Sequence, residues 1–276
     1  MKIPSNFNKI VFGVSLGKII GARGDTSYRD VEDIKTKFGL PPSARIALIC
    51  TGQDPQLENF WKIHESHQLF ERLAQFGFEW VTSLSYSVWE SDFPRPDQLR
   101  NQARNYYSYD VFTSLGVPCV PFLFLSEDHD FKVASEWLND RPSIDTIAVY
   151  GRYMRDPVGF SKLYSYMERI ETIVDRPLNF LVCGVAKAKN ISRLRERFNC
   201  KFENSHMFAK TIRGHSCDSN LHYSLSTLPK EEVLRNNLKN VSEFCERKTS
   251  FNSILKSDTQ SRIITLNSQF DIGLNK

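Results

Sequence analysis

Between residues 45 and 203 the chain alternates short apolar runs with longer amphipathic stretches. Residues 45–51 (RIALICT) are an almost continuous apolar run, the pattern of a strand covered on both faces. Residues 54–76 predict a helix, with Asp54 as N-cap and Pro55 at the first position. Leu57, Phe60, Trp61, His64, Leu69, Leu73 and Phe76 share roughly one face of it, and Gly77 closes it. The alternation continues with strand 78–84, helix 95–115, strand 118–125 (PCVPFLFL), helix 131–138 and strand 146–150. Helix 157–174, strand 178–183, helix 191–198 and a short strand at 201–203 follow.

Repeated strand–helix units imply a parallel sheet with right-handed crossovers. Residues 9–15 supply a further strand and 262–266 a weaker one. With both, the count reaches the eight that a closed barrel needs. The expected fold is therefore α/β and TIM-barrel-like, irregular or incomplete, with a C-terminal helical extension. An open doubly wound sheet is the alternative. No G-x-G-x-x-G follows a strand, which argues against a dinucleotide-binding sheet. The barrel-like domain is expected over residues 1–228. Residues 229–276 comprise a charged amphipathic helix (229–249) and a polar tail (250–276), either loosely attached or packed on a protein partner.

Composition narrows the class without naming a function. The chain has 276 residues, 41% hydrophobic and 25% charged, with a net charge of +4, so nucleic-acid binding turns on how the bases cluster. No run of eighteen apolar residues occurs and the N-terminus shows no signal-peptide pattern, so no membrane partner and a cytoplasmic location are expected. The six cysteines form no CxxC pair and read as free, reduced thiols. His64 and His67 lack a matching second pair, so no metal site and no cofactor are expected.

In parallel α/β folds function gathers where strands end. The groups there include Tyr86 and Trp89, then Glu127, Asp128 and His129, then Gly151 and Arg152, then Lys187 and Lys189, then Glu203 and His206. Glu127 and Asp128, or Glu203 with His206, can supply acid–base chemistry. Asp128 is equally well placed to cap the following helix, and Glu203 with His206 to form a surface turn. Residues 185–213 carry eight bases against Glu196 and Glu203, a density that suits phosphate but also suits a solvated helix face. Arg100, Asn101, Arg104 and Tyr107 share a helical face, fit for a planar or phosphorylated ligand. They can instead brace loops through pairs such as Arg104 with Asp54 or Asp128.

Residues 83–124 carry S-x-S-Y-S-x-W, then P-R-P-D-Q-L-x-N-Q-x-R, then G-V-P-C-V-P. In these motifs the chain resembles the prokaryotic and phage domain-of-unknown-function family 4417, which implies no chemistry. Residues 145–214 resemble the C-terminal half of the tRNA-guanine transglycosylase barrel. Tyr150-Gly151-Arg152 falls at that family's base-binding turn, and Arg176-Pro177 precedes FLVCGV. Residues 201–214 follow the spacing of its nucleophile segment. The resemblance implies Glu203 in place of a catalytic aspartate, and the zinc ligands of that family are missing.

The resulting expectation is a barrel protein directed at a nucleotide or nucleic acid, a base-modifying, transglycosylase-like enzyme using a strand-end carboxylate. Lys187, Lys189 and Arg152 would hold phosphate, and Tyr86 or Trp89 would stack a base. The alternative is a non-catalytic component of a phage, mobile-element or defence system, binding nucleic acid or a protein through the C-terminal helix. A metabolic barrel for a small phosphorylated substrate is the third reading.

Overall fold

The structure is a computed structural model that describes residues 10–86, 94–152, 154, 156–203, 205–246 and 262–266. β1 (Ile10–Ser15) leads to α1 (Leu16–Ile19) and α2 (Val31–Phe38), and β2 (Arg45–Ile49) to α3 (Asp54–Ile63) and α4 (Leu69–Ala74). β3 (Val81–Thr82) leads to α5 (Arg95–Ser114), β4 (Cys119–Val120) to α6 (Asp128–Asn139), and β5 (Thr146–Tyr150) to α7 (Pro157–Glu171). β6 (Asn179–Cys183) leads to α8 (Ala188–Arg197), and β7 (Cys200–Glu203) to α9 (His206–Ile212). A hairpin of β8 (His215–Cys217) and β9 (Tyr223–Leu225) precedes α10 (Lys230–Glu246) and β10 (Arg262–Leu266).

Eight strands make one parallel sheet in the order β4-β3-β2-β1-β10-β7-β6-β5. The segment after β4 meets β5 at a parallel bridge between Phe122 and Ala148. There the Ala148 N–H donates to the Pro121 carbonyl (2.8 Å) and the Leu123 N–H to the Ala148 carbonyl (3.3 Å). The two ends of the strand order are thus in hydrogen-bonding contact. Residues 262–266, a weak candidate beside a polar tail, form a strand inside the sheet, pairing β1 on one side and β7 on the other.

Side chains alternate across each strand, so the sheet has two apolar faces. Val11, Ile49, Phe122, Phe124, Leu181 and Cys183 belong to one cluster, with the small Ala47 and Ala148 beside the phenylalanines. The other face packs against the helices through a larger cluster that includes Phe12, Leu48, Val149 and Phe180. Burial on both faces is why the strands read as unbroken apolar runs.

β3 and β4 are much shorter than their apolar runs, because the ladder there gives way to side-chain hydrogen bonds. The Ser83 hydroxyl accepts from Phe122 N–H (2.8 Å) and Thr82 Oγ1 from Cys50 N–H (2.8 Å). α5 buries polar residues that serve the same segments. Ser108 Oγ accepts from Leu84 N–H (2.8 Å), Asn105 Oδ1 from Tyr86 N–H (2.9 Å), and Gln102 Nε2 donates to the Phe124 carbonyl (3.0 Å). Buried backbone groups need such partners where no strand supplies them.

Two helix details differ from the sequence pattern. The helix expected over 54–76 is two helices, parted where Gln68 takes a left-handed conformation (φ 50°), and Gln53, not Asp54, is the N-cap. α10 is not a loose appendage. Val233, Leu234, Leu238 and Val241 are buried, and the fully buried Asn237 ties α10 to the hairpin. Its Oδ1 accepts from Cys217 N–H (2.6 Å), and its Nδ2 donates to Thr211 Oγ1 and the His215 carbonyl (2.8 Å each). Asn237→Ala leaves the buried Cys217 N–H without this partner and removes the link from α10 to Thr211 and His215. It should lower stability by about 2–3 kcal/mol, read as a lower denaturant midpoint. An unchanged midpoint would show that α10 is not integral to the fold.

Candidate functional site

Three strand ends stand side by side. Tyr150 is in register with Cys183, and Cys183 with Glu203. Because in-register neighbours share a face, Tyr150, Cys183 and Glu203 form one row on the face that holds Phe122 and Phe124. Glu203 ends β7 and is only 7% exposed. The Cys183 thiol is pushed well above its ordinary range, first by burial and then by the Glu203 carboxylate. Tyr150 is half-buried.

The turns beyond this row are tight. Gly151 N–H donates to the Cys183 carbonyl (2.8 Å) and Gly184 N–H to the Glu203 carbonyl (3.2 Å). A side chain at Gly151 would meet Val185 Cγ2 at 2.6 Å. Gly184 has φ 86°, and a Cβ there would lie 2.9 Å from the Arg152 Cα. The glycines thus press the β5 and β6 loops together and set Arg152 over Gly184. Arg152, Lys187 and Lys189 are exposed, with Lys187 at the N-cap of α8. Lys187 lies near enough to Asp156 to help hold that carboxyl low, after the Gly159 N–H hydrogen bond. The structure therefore brings Gly151 and Arg152 beside the end of β7 at Glu203, with Lys187 at the start of α8 and Lys189 in its first turn. His206 opens α9 three residues beyond Glu203, exposed, with its ring edge-on to Tyr223 at 5.4 Å.

The remaining candidates sit elsewhere or are engaged in packing. Glu127 is the N-cap of α6, its side chain 60% exposed and 3.5 Å from Arg95. Asp128 is not the cap; it is the first helical residue, 94% exposed and paired with Arg169. Tyr86 is 1% exposed, with its hydroxyl donating to the Leu57 carbonyl (2.5 Å) and Arg104 over its ring at 4.8 Å, so no face remains for a base. Arg104 is a brace, but its carboxylate partner is Glu58 (2.6 Å), not Asp54 or Asp128. Asn101 is buried against Arg104, whereas Arg100 is exposed and pairs with Asp97 at 2.9 Å. The Arg100–Tyr107 face is thus split between packing and solvent. Trp89 lies outside the described residues. An open depression of about 500 Å³, lined by Pro157, Val158, Ser161, Lys162 and Ser165, lies on α7.

Asp130 drew no notice in the sequence because acids at the third helical position are common. It is 1% exposed and accepts from Ser126 N–H (2.9 Å), Glu127 N–H (3.1 Å) and Arg95 (3.1 Å), fixing the loop after β4. Burial alone raises its carboxyl, but Arg95 and the two N–H groups outweigh burial and hold it well below the usual range. A carboxylate depressed in the fold contributes stability above its unfolded value, about 3.9, and loses it as pH falls toward the folded value. Asp130→Asn should cost about 2–3 kcal/mol at neutral pH and flatten the acid limb of the stability profile. Equal stability of variant and wild type at pH 7 would refute this assignment.

No protein-family model and no curated protein matches the chain. Among solved structures it is similar to a protein from Aquifex aeolicus VF5, described as "Structural study of Project ID from Aquifex aeolicus VF5". The identity is 14% and the TM-score 0.44, over 78% of this chain and 66% of that one. Among the described residues no helix is long and apolar enough to cross a membrane.

Proposed function

We propose that the chain is a TIM-type barrel protein that binds a nucleotide or nucleic-acid base at the carboxyl ends of β5, β6 and β7. Glu203 is the carboxylate that acts at the base–sugar bond. The parallel strand order, with its ends joined between Phe122 and Ala148, supports the barrel. The observation that carries the site is the position of Glu203. It is the candidate carboxylate that is both buried and in the strand-end row, with Arg152 and Lys187 on the two neighbouring loops. A carboxylate shielded from water can serve as nucleophile or proton carrier, while exposed bases take the phosphate. The resemblance to the tRNA-guanine transglycosylase barrel favours the same residue. Glu127 and Asp128, tied to Arg95 and Arg169 at the start of α6, serve the scaffold.

The test is base exchange and glycosidic cleavage on nucleotide and polynucleotide substrates. Glu203→Gln should keep ligand binding and lose turnover by roughly 10²–10⁴-fold. Full activity in the variant would remove Glu203 from the chemistry. Binding without turnover by the wild type would favour the non-catalytic component of a phage, mobile-element or defence system.

A further inference from the structure

We infer that the ligand is a polynucleotide whose phosphodiester backbone runs from the strand ends along the first half of α8, an inference that rests on the nucleotide reading above. α8 carries Lys189, Arg193, Arg195 and Arg197 against the single acid Glu196. The fold uses the last two arginines. Arg195 donates to the Phe244 carbonyl (3.0 Å), and Arg197 pairs with Glu171 (2.8 Å). Lys189 and Arg193 differ. Both are exposed, and neither has a hydrogen bond or ion pair among the described residues.

Arg193 is nevertheless held in place. Its guanidinium lies over Tyr164 at 5.0 Å and Phe160 at 5.6 Å, both on α7. A stacked guanidinium keeps its in-plane N–H donors for another acceptor, the arrangement that suits phosphate. Lys189 is four residues earlier, on the same helical face and about 6 Å away along the axis.

The charges also stand where the helix does not want them. Lys187 is at the N-cap and Lys189 in the first turn, and neither α7 nor α8 has an acid in its first turn. Cations at the positive end of a helix weaken it, so the helix dipole gives no reason for Lys189 there. The acids Glu168, Glu171 and Glu196 lie toward the far ends of the two helices. On the side nearest Glu203 stand Lys187, Lys189 and, on the β5 loop, Arg152, against the single acid Asp156 at the N-cap of α7. Lys187 and Arg193 are six residues apart along α8, about 9 Å of axial rise, a spacing that successive phosphates of one chain can follow base by base.

The experiment compares the full-length wild type with Lys189→Ala/Arg193→Ala. Fluorescence anisotropy with labelled single-stranded RNA and DNA is measured across a salt series, and guanosine monophosphate is titrated calorimetrically. The double variant should bind oligonucleotide roughly tenfold more weakly near 0.1 M salt, with the slope of log K against log salt reduced by about 1.4. Mononucleotide affinity should be unchanged in Arg193→Ala, whose guanidinium lies over Tyr164 and Phe160 rather than at the strand ends. Lys189→Ala alone, which removes no contact from the fold, should show about half the slope loss. The RNA and DNA arms tell which backbone is preferred. Oligonucleotide affinity and slope unaltered in the double variant and in Lys189→Ala would overturn the inference. Binding of the mononucleotide without the oligonucleotide would overturn it while leaving the nucleotide reading intact. Binding of neither would overturn both.

Discussion

The structure depends on how the backbone is satisfied where the sheet is weakest. β3 and β4 are two residues each, and the segment that meets β5 continues from them. Ladder bonds alone cannot cover so short a stretch, and an unpaired buried N–H or carbonyl is costly. Ser83, Gln102, Asn105 and Ser108 supply the missing partners. The polar face of α5 acts as a second edge for these strands at Leu84, Tyr86 and Phe124, and Ser83 holds Phe122 beside Ala148.

This divides the molecule by role. The β2–β4 sector is stitched by side chains and closed by partly buried pairs, Arg104 with Glu58 and Arg95 with Asp130. The β5–β7 sector pairs through regular backbone ladders. There Tyr150, Cys183 and Glu203 form a row, and the loops beyond it carry exposed bases. Scaffold and candidate site therefore occupy different arcs of the same sheet.

Much of this was legible in the sequence where one physical cause dominates. Residues 45–49, 146–150 and 179–183 read as strands because both their faces are covered. The position of Glu203 followed from the βα alternation. β10 was faint because polar residues surround it. The break at Gln68 carried no glycine or proline to mark it, and α2 is only eight residues long, its apolar face limited to Val31, Ile34 and Phe38. Residues 83–108 leave two readings open for a different reason. Serines, amides and arginines on one helical face look the same whether they meet a ligand or a buried backbone. Only their neighbours in space decide, and here those neighbours are Leu84, Tyr86, Phe122 and Phe124.

Amide hydrogen exchange at Leu84, Tyr86, Phe122 and Ala148 tests the account most directly. If side-chain partners complete the sheet and join its ends, these amides should be protected as strongly as those of Ile46 and Leu48 in β2. Rapid exchange at these four positions, with β2 still protected, would mean that the sheet is open between β4 and β5 and that the barrel reading is wrong.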